Sequence, residues 1–169
     1  HTLVLNHNMR GSQLVDNDKI NDASQTKGII SSSVMDYNAV NLAPPGQEQG
    51  DFYTTHPGPY DVWAIQFGYD PDIEGDRRIS HLARSSESSL AFGNDADDMR
   101  AVGRAIDPKI NIGDMSSDAI GYAADRFALL NESLITLRAK MIRPDQSWAE
   151  LRNAYQVIAR EHQTQARVV

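Results

Sequence analysis

Between Ile120 and Met141 apolar side chains return every three or four residues, at Ile120, Ala123, Phe127, Leu130, Leu134, Leu137 and Met141. That period keeps one stripe on one side of a helix, so a helix is expected over 117–142. Pro144 ends it, because proline has no N–H to donate and its ring clashes with the preceding turn. Beyond it, Ser147-Trp148-Ala149-Glu150 reads as a capping box, with Ser147 accepting from the backbone at Glu150 and Glu150 reaching back. Trp148, Leu151, Tyr155 and Ile158 then make a second stripe. Two amphipathic helices joined by a short turn predict an antiparallel hairpin. Neither stripe gathers titratable groups, so the pattern there points to packing and not to chemistry.

Upstream the periodicity weakens. In the stretch HPGPYDVWAIQFGYDP, Pro59 suits a first helical position, Tyr60, Trp63, Ala64 and Phe67 share a face, and Gly68 offers a stop; a short, well-buried helix is expected over 59–67. Residues 72–91 also read as helix, on a face marked by Ile79, Leu82, Ala83 and Leu90 and diluted by serine. Residues 10–58 are rich in Gly, Ser, Asn, Asp and Pro with short apolar runs such as GIISSSVM, which predicts long irregular structure. No internal repeat or low-complexity segment interrupts the chain. The expected class is mainly α: an irregular, loop-rich N-terminal part followed by a C-terminal helical hairpin, with little or no sheet.

Composition narrows the function classes. The 169 residues are enough to bury a core, and 40% hydrophobic content with a mean hydropathy of −0.49 leaves no apolar run long enough for a transmembrane segment. A formal charge of −7, with arginines scattered along the sequence, argues against nucleic acid as a partner, since phosphate binding needs clustered cations. The absence of cysteine excludes a disulfide framework, a thiolate metal site and a cysteine nucleophile.

The first candidate chemistry lies in HTLVLNHN, where His1 and His7 stand six positions apart. On a continuous helix that spacing is a rotation of about 600°, so the two imidazoles share a metal only if the helix ends between them. Neutral imidazole is the commonest protein ligand of zinc, yet two histidines at this spacing also occur as ordinary surface residues.

The run SSSVMDY at 31–37 adds to this. Together, HTLVLNHN, SVMDY, GPYDVWAIQFGY, FGNDADD and the Asp-Pro at 107–108 resemble the metzincin zinc peptidases, in particular a bacterial group of large metzincin-like proteins. The metzincin motif is HExxHxxGxxH followed by a methionine-containing turn beneath the metal. The resemblance implies that His1 stands at the second histidine of the motif and His7 at the third, both as zinc ligands. It implies that Met35 and Asp36 belong to the Met-turn, and that Tyr37 sits where some metzincins place a tyrosine close to the metal. The first histidine and the glutamate general base would then precede His1, making this chain a C-terminal fragment. Residues 1–108 would be the C-terminal part of the catalytic domain and 109–169 a helical hairpin packed on it. One position departs from the motif: Val4 stands where the family has the glycine that lets the helix stop and the chain swing back. A β-branched residue with positive φ costs about 1–2 kcal/mol, so either the turn is made differently or His7 is displaced.

Other residues admit two readings. Tyr37 has a phenol that could donate to an oxyanion at the scissile carbonyl, or be a core aromatic with its hydroxyl satisfied. Asp36 either bonds the turn or orients a ligand histidine. His56 precedes a proline in a loop and could touch substrate or replace a missing ligand, though a solvated side chain is the simpler reading; His81 and His162 sit on helical stretches and receive no function. Asp95, Asp97 and Asp98 invite a calcium reading, but the EF-hand spacing is not met and a solvated acidic loop is the better reading.

Two functions follow. One is a zinc-dependent endopeptidase cleaving a peptide or protein substrate with metal-activated water, of which this chain would be an inactive piece lacking its base. The other, which Val4 favours, is a non-catalytic binding or structural module of a large bacterial surface or periplasmic protein. The resemblance implies an extracytoplasmic setting, periplasmic or secreted, and Zn2+ as the cofactor of the intact parent.

Overall fold

The computed structural model describes residues 1–98, 107–145 and 147–169, and among these the fold is helices and loops without a strand. The stretch 99–106, inside the expected N-terminal part, lies outside the described residues. A 3-10 turn at Gly11–Leu14 and the one-turn helix α1, Ala23–Thr26, are the only helical pieces described before residue 59. Helices α2 (Pro59–Tyr69) and α3 (Gly75–Ala83) follow, then 3-10 turns at Arg84–Ser86, Ser88–Leu90 and Asp95–Asp97. The long pair α4 (Ala119–Met141) and α5 (Ala149–Gln165) closes the chain, packed against each other.

The N-terminal loops replace a sheet's ladder with side-chain hydrogen bonds, because enclosed backbone groups must still be paired. Fully buried Asn41 donates through Nδ2 to the Asp51 carbonyl at 3.0 Å and to the Asn21 side chain at 2.9 Å, while its own N–H donates to the Phe52 carbonyl at 3.0 Å. The Asp51 carboxylate accepts from the Thr26 hydroxyl and, at 2.9 Å, from the Gly28 N–H. Under these loops Ile20, Ile30, Met115 and Tyr122 form a buried cluster with Val15 against it. Tyr122 comes from α4 and Met115 from the segment leading into it, so the root of the hairpin and the loops share one core.

Several helix expectations change on contact with the structure. Helix α2 runs through Gly68 to Tyr69, since nothing crowds that glycine and the chain turns only at Asp70. Its aromatic face is half-buried, and the residue it buries fully is Asp61. The expected helix over 72–91 is α3 and two 3-10 turns, and of its apolar face Leu90 alone is buried, Ile79 being 68% exposed. A mean spacing of three or four residues did not distinguish a buried helix from a surface one interrupted by serines. His81 is instead part of a pin between α2 and α3: its ring stacks on Trp63 at 5.3 Å, its Nε2 donates to the Trp63 carbonyl, and Trp63 Nε1 donates to the His81 carbonyl, both at 2.9 Å.

The first hairpin helix matches its expected bounds, α4 ending at Met141, but Ile120 of the expected stripe is 61% exposed while Tyr122 and Arg126, outside it, are buried. The capping box does not form: Ser147 Oγ accepts from the Ala149 N–H at 3.2 Å, one residue too early, and α5 starts from Trp148 without a side-chain cap. The buried residues of α4, Tyr122, Ala123, Arg126 and Leu130, all lie in its first half, and α5 buries Gln165 at its far end. Gln165 ties that end to the loops by donating to the Gly113 carbonyl at 3.0 Å. The hairpin is therefore rooted at one end, and its turn lies at the other.

Candidate functional site

The segment 1–8 makes the turn that brings two imidazoles together. Val4 adopts φ +64, the left-handed conformation of the glycine it replaces, and its N–H donates to the His1 carbonyl at 2.9 Å. Val4 thus takes the positive φ that the resemblance assigned to a glycine, despite its branched Cβ. With Val4 84% exposed, its branched side chain meets only its own backbone, so the strain of about 1–2 kcal/mol is the whole cost.

His1 Nε2 and His7 Nε2 lie 3.2 Å apart. The partners of the other ring nitrogens fix the tautomers. His1 Nδ1 donates to the Leu5 carbonyl at 3.0 Å, which accepts only. His7 Nδ1 donates to the Asp95 carboxylate, both of whose oxygens lie at 2.9 Å. With the protons held at Nδ1, both Nε2 atoms are acceptors 3.2 Å apart, an arrangement that repels where no proton or cation lies between or beside them. The Tyr37 hydroxyl donates to His7 Nε2 at 2.9 Å. Tyr37 is 49% exposed, so it is not a core aromatic.

Below the imidazoles the turn at Met35 is fixed from three sides. Its sulfur lies 3.9 Å from the His1 backbone nitrogen, and its carbonyl accepts from the Asn8 N–H at 3.1 Å, directly after His7. Its N–H donates to Ser33 Oγ at 3.0 Å, and Ser33 Oγ in turn donates to Asp61 at 2.6 Å. Asp61, buried in the first turn of α2, also accepts from the Val34 and Gly58 N–H groups, each at 2.9 Å. Gly58 is required there because a Cβ would collide with the Ser32 carbonyl.

Asn8, fully buried, carries this order across to the acidic loop. Its Nδ2 donates to the Ala91 carbonyl at 3.0 Å, and its Oδ1 accepts from the Gly93 N–H at 3.0 Å. Two residues on, Asp95 meets His7. Asp36 does something else: its Oδ2 accepts from the Ser12 N–H at 2.7 Å, away from the imidazoles. It bonds the turn, and orienting His7 falls to Asp95. Ser12 Oγ donates to Asp114 at 3.2 Å. Burial raises both carboxyls from 3.8 to about 7, and the charge of Asp114 adds to the rise at Asp36.

His1, His7, Met35 and Tyr37 thus meet in one place, joined by Asp95, whose part no local pattern announced. Asn8 and Asp61 were likewise invisible in the sequence, since each acts through loops far along the chain. A buried asparagine between His7 and Met9, and an aspartate at the third position of a proline-led helix, are weak signals that only contact makes meaningful. His56 bonds Thr55 Oγ1 through Nδ1 at 2.9 Å and His162 Nε2 meets Asn131 Oδ1 at 3.2 Å; neither has a described contact with His1 or His7. Among the described residues, no group of three or more His, Cys, Asp or Glu side chains could hold a metal ion, so the imidazole pair is an incomplete ligand set on its own.

A family model described as Met-zincin matches residues 1–169. No curated protein and no solved structure matches the chain.

Proposed function

The chain belongs to the Met-zincin family, and from that premise we propose that it forms one side of a zinc peptidase centre in which His1 and His7 supply two of the ligand nitrogens. The observation that carries this reading is the 3.2 Å separation of two Nε2 lone pairs, each with its opposite nitrogen pinned as a donor. Two nitrogens bound to one tetrahedral zinc at about 2.0–2.1 Å stand about 3.3 Å apart, so the separation of the pair matches that ion once the Tyr37 hydroxyl gives up its bond to His7 Nε2. When bound, zinc supplies the Lewis acidity that activates water and polarises the carbonyl of a peptide or protein substrate.

This chain's own residues do the holding. Asp95 keeps the His7 proton on Nδ1 and makes Nε2 the more basic nitrogen; the Leu5 carbonyl does the same for His1. The methionine turn props the pair from below. Tyr37 has an exposed hydroxyl that donates to His7 Nε2 while that lone pair is free, and that donates to the oxygen of the scissile carbonyl once the lone pair is committed. No His-Glu pair occurs anywhere in these 169 residues. The third nitrogen and the carboxylate base therefore come from residues outside this sequence, and the chain by itself is inactive. By residue type alone Val4 favours the alternative of a non-catalytic binding or structural module; its positive φ, which the motif expects of a glycine, supports the peptidase reading instead.

The test is cobalt and zinc titration of the 169-residue chain and its His7→Ala variant, followed by cobalt d–d absorption and isothermal calorimetry. One equivalent bound, lost in the variant, is expected; equal binding by both sinks the assignment. Chelator-sensitive cleavage of casein by this chain alone would overturn the claim that its base lies elsewhere.

A further inference from the structure

The outer half of the α4/α5 hairpin has no role in holding the imidazole site. From residue 131 to residue 160 no described residue is buried, although α4 continues for a further 11 residues, about 16 Å at 1.5 Å per residue. Large apolar side chains stand open along it: Ile135 is 83% exposed, Trp148 66% and Tyr155 55%. They are not spread over a smooth surface. A groove of ≈ 670 Å³ runs between the helices, lined by Leu137, Trp148, Leu151, Arg152 and Tyr155. On the other side of the indole a second hollow of ≈ 480 Å³ is lined by Ile135, Arg138, Ala139, Ile142 and Trp148.

Charge singles out the same place. Between 131 and 160 five cations, Arg138, Lys140, Arg143, Arg152 and Arg160, face three anions, Glu132, Asp145 and Glu150, in a chain whose formal charge is −7. None of the five cations enters an ion pair among the described residues. The arginines that look scattered along the sequence are gathered by the hairpin, and Arg152 and Arg138 each line one of the hollows that flank Trp148.

We propose that the outer end of the hairpin is a docking site for an acidic polypeptide segment of another protein, which seats apolar side chains on either side of Trp148 and pairs its carboxylates with Arg138 and Arg152. Both hollows are shallow and apolar-lined, with one cation in the wall of each, which suits the mixed apolar and charged side chains of a polypeptide. A second copy docking through the same face would set one net positive patch against another. A single nucleic-acid strand would stack bases on Trp148 and Tyr155 and pair phosphates with the cations, and the comparison with an oligonucleotide separates it from the peptide.

The test uses the full 169-residue chain and a fluorescein-labelled peptide of Glu, Asp, Leu and Phe in helical alternation, with a control in which Lys replaces every acidic residue. Saturable binding of the acidic peptide is expected from anisotropy. It should weaken about tenfold in Arg138→Glu/Arg152→Glu and in Trp148→Ala, with helix content and thermal unfolding unchanged. Arg152→Gln, which leaves the packing face intact, serves as a milder variant and should weaken binding by a smaller factor. Equal binding of the lysine peptide, no saturable binding, or indifference to the charge reversals overturns the proposal. So does tighter binding to phosphatidylglycerol vesicles or to a single-stranded oligonucleotide than to the peptide, or a concentration-dependent dimer that excludes it.

Discussion

At His7 one ring nitrogen faces Asp95 and the other faces His1 and Tyr37, so a carboxylate 88 residues away decides which lone pair the imidazole offers. Replacing Asp95 with alanine leaves His7 free to flip or to place its proton on Nε2. Zinc affinity of the chain should fall about 10–100-fold in Asp95→Ala, with far-ultraviolet circular dichroism unchanged. An unaltered affinity would show that the contact does not orient the ring. Val4 poses the opposite case, a residue whose local conformation opposes its own chemistry. With its side chain open to solvent, Val4→Gly loses almost no packing and relieves the left-handed strain, partly offset by glycine's larger unfolded-state entropy. Urea unfolding should show a gain of about 1 kcal/mol, and a loss would mean that the valine side chain contributes something the geometry does not reveal.

Among the elements, α2 matters less for its apolar face than for the carboxylate at its start. Asp61 accepts three hydrogen bonds, from Ser33, Val34 and Gly58, and thereby holds the loop that carries Met35. Asp61→Ala strands three donors in a buried site, and the expected cost is about 3 kcal/mol by chemical denaturation, with weaker zinc binding as the turn loosens. A loss below about 1 kcal/mol would show that the loop is held by other contacts. The same element shows what a sequence can and cannot reveal. Helix α4 was legible because its three-and-four spacing persists for six turns and half of it truly faces a core. The meeting of His1, His7 and Met35 was legible because a short motif places such residues together. Helix α3 misled, since Ile79 and Leu82 repeat at helical spacing on a surface. Asp61, Asn8 and Asp95 were illegible for a different reason: each works by one or two bonds to residues distant in the chain, and no period or local pattern encodes such a pairing.

At the scale of the molecule, Ser12 is where three parts of the chain meet. Its N–H donates to Asp36 of the Met-turn, its hydroxyl donates to Asp114 ahead of α4, and its carbonyl accepts from the Ser116 N–H at 2.9 Å. Asp36 Oδ1 and Asp114 Oδ2 are buried without a hydrogen-bond partner, so ionising both carboxyls in this place is costly. Their folded values of about 7 lie above the unfolded 3.8, so between those limits the folded chain binds more protons than the unfolded one. The stabilisation that protonation lends is complete below about pH 4, declines as pH rises, and is gone above about pH 7. Urea midpoints should accordingly be higher at about pH 5.5 than at about pH 8. Asp114→Asn keeps an acceptor for the Ser12 hydroxyl and removes one ionisation, along with the charge that raises Asp36. Its midpoint should change less over that interval than that of the parent and should exceed the parent's at the alkaline end. If the parent instead gains stability between those two pH values, the two carboxyls are ionised in the folded chain without penalty, and the junction at Ser12 is held by contacts other than these.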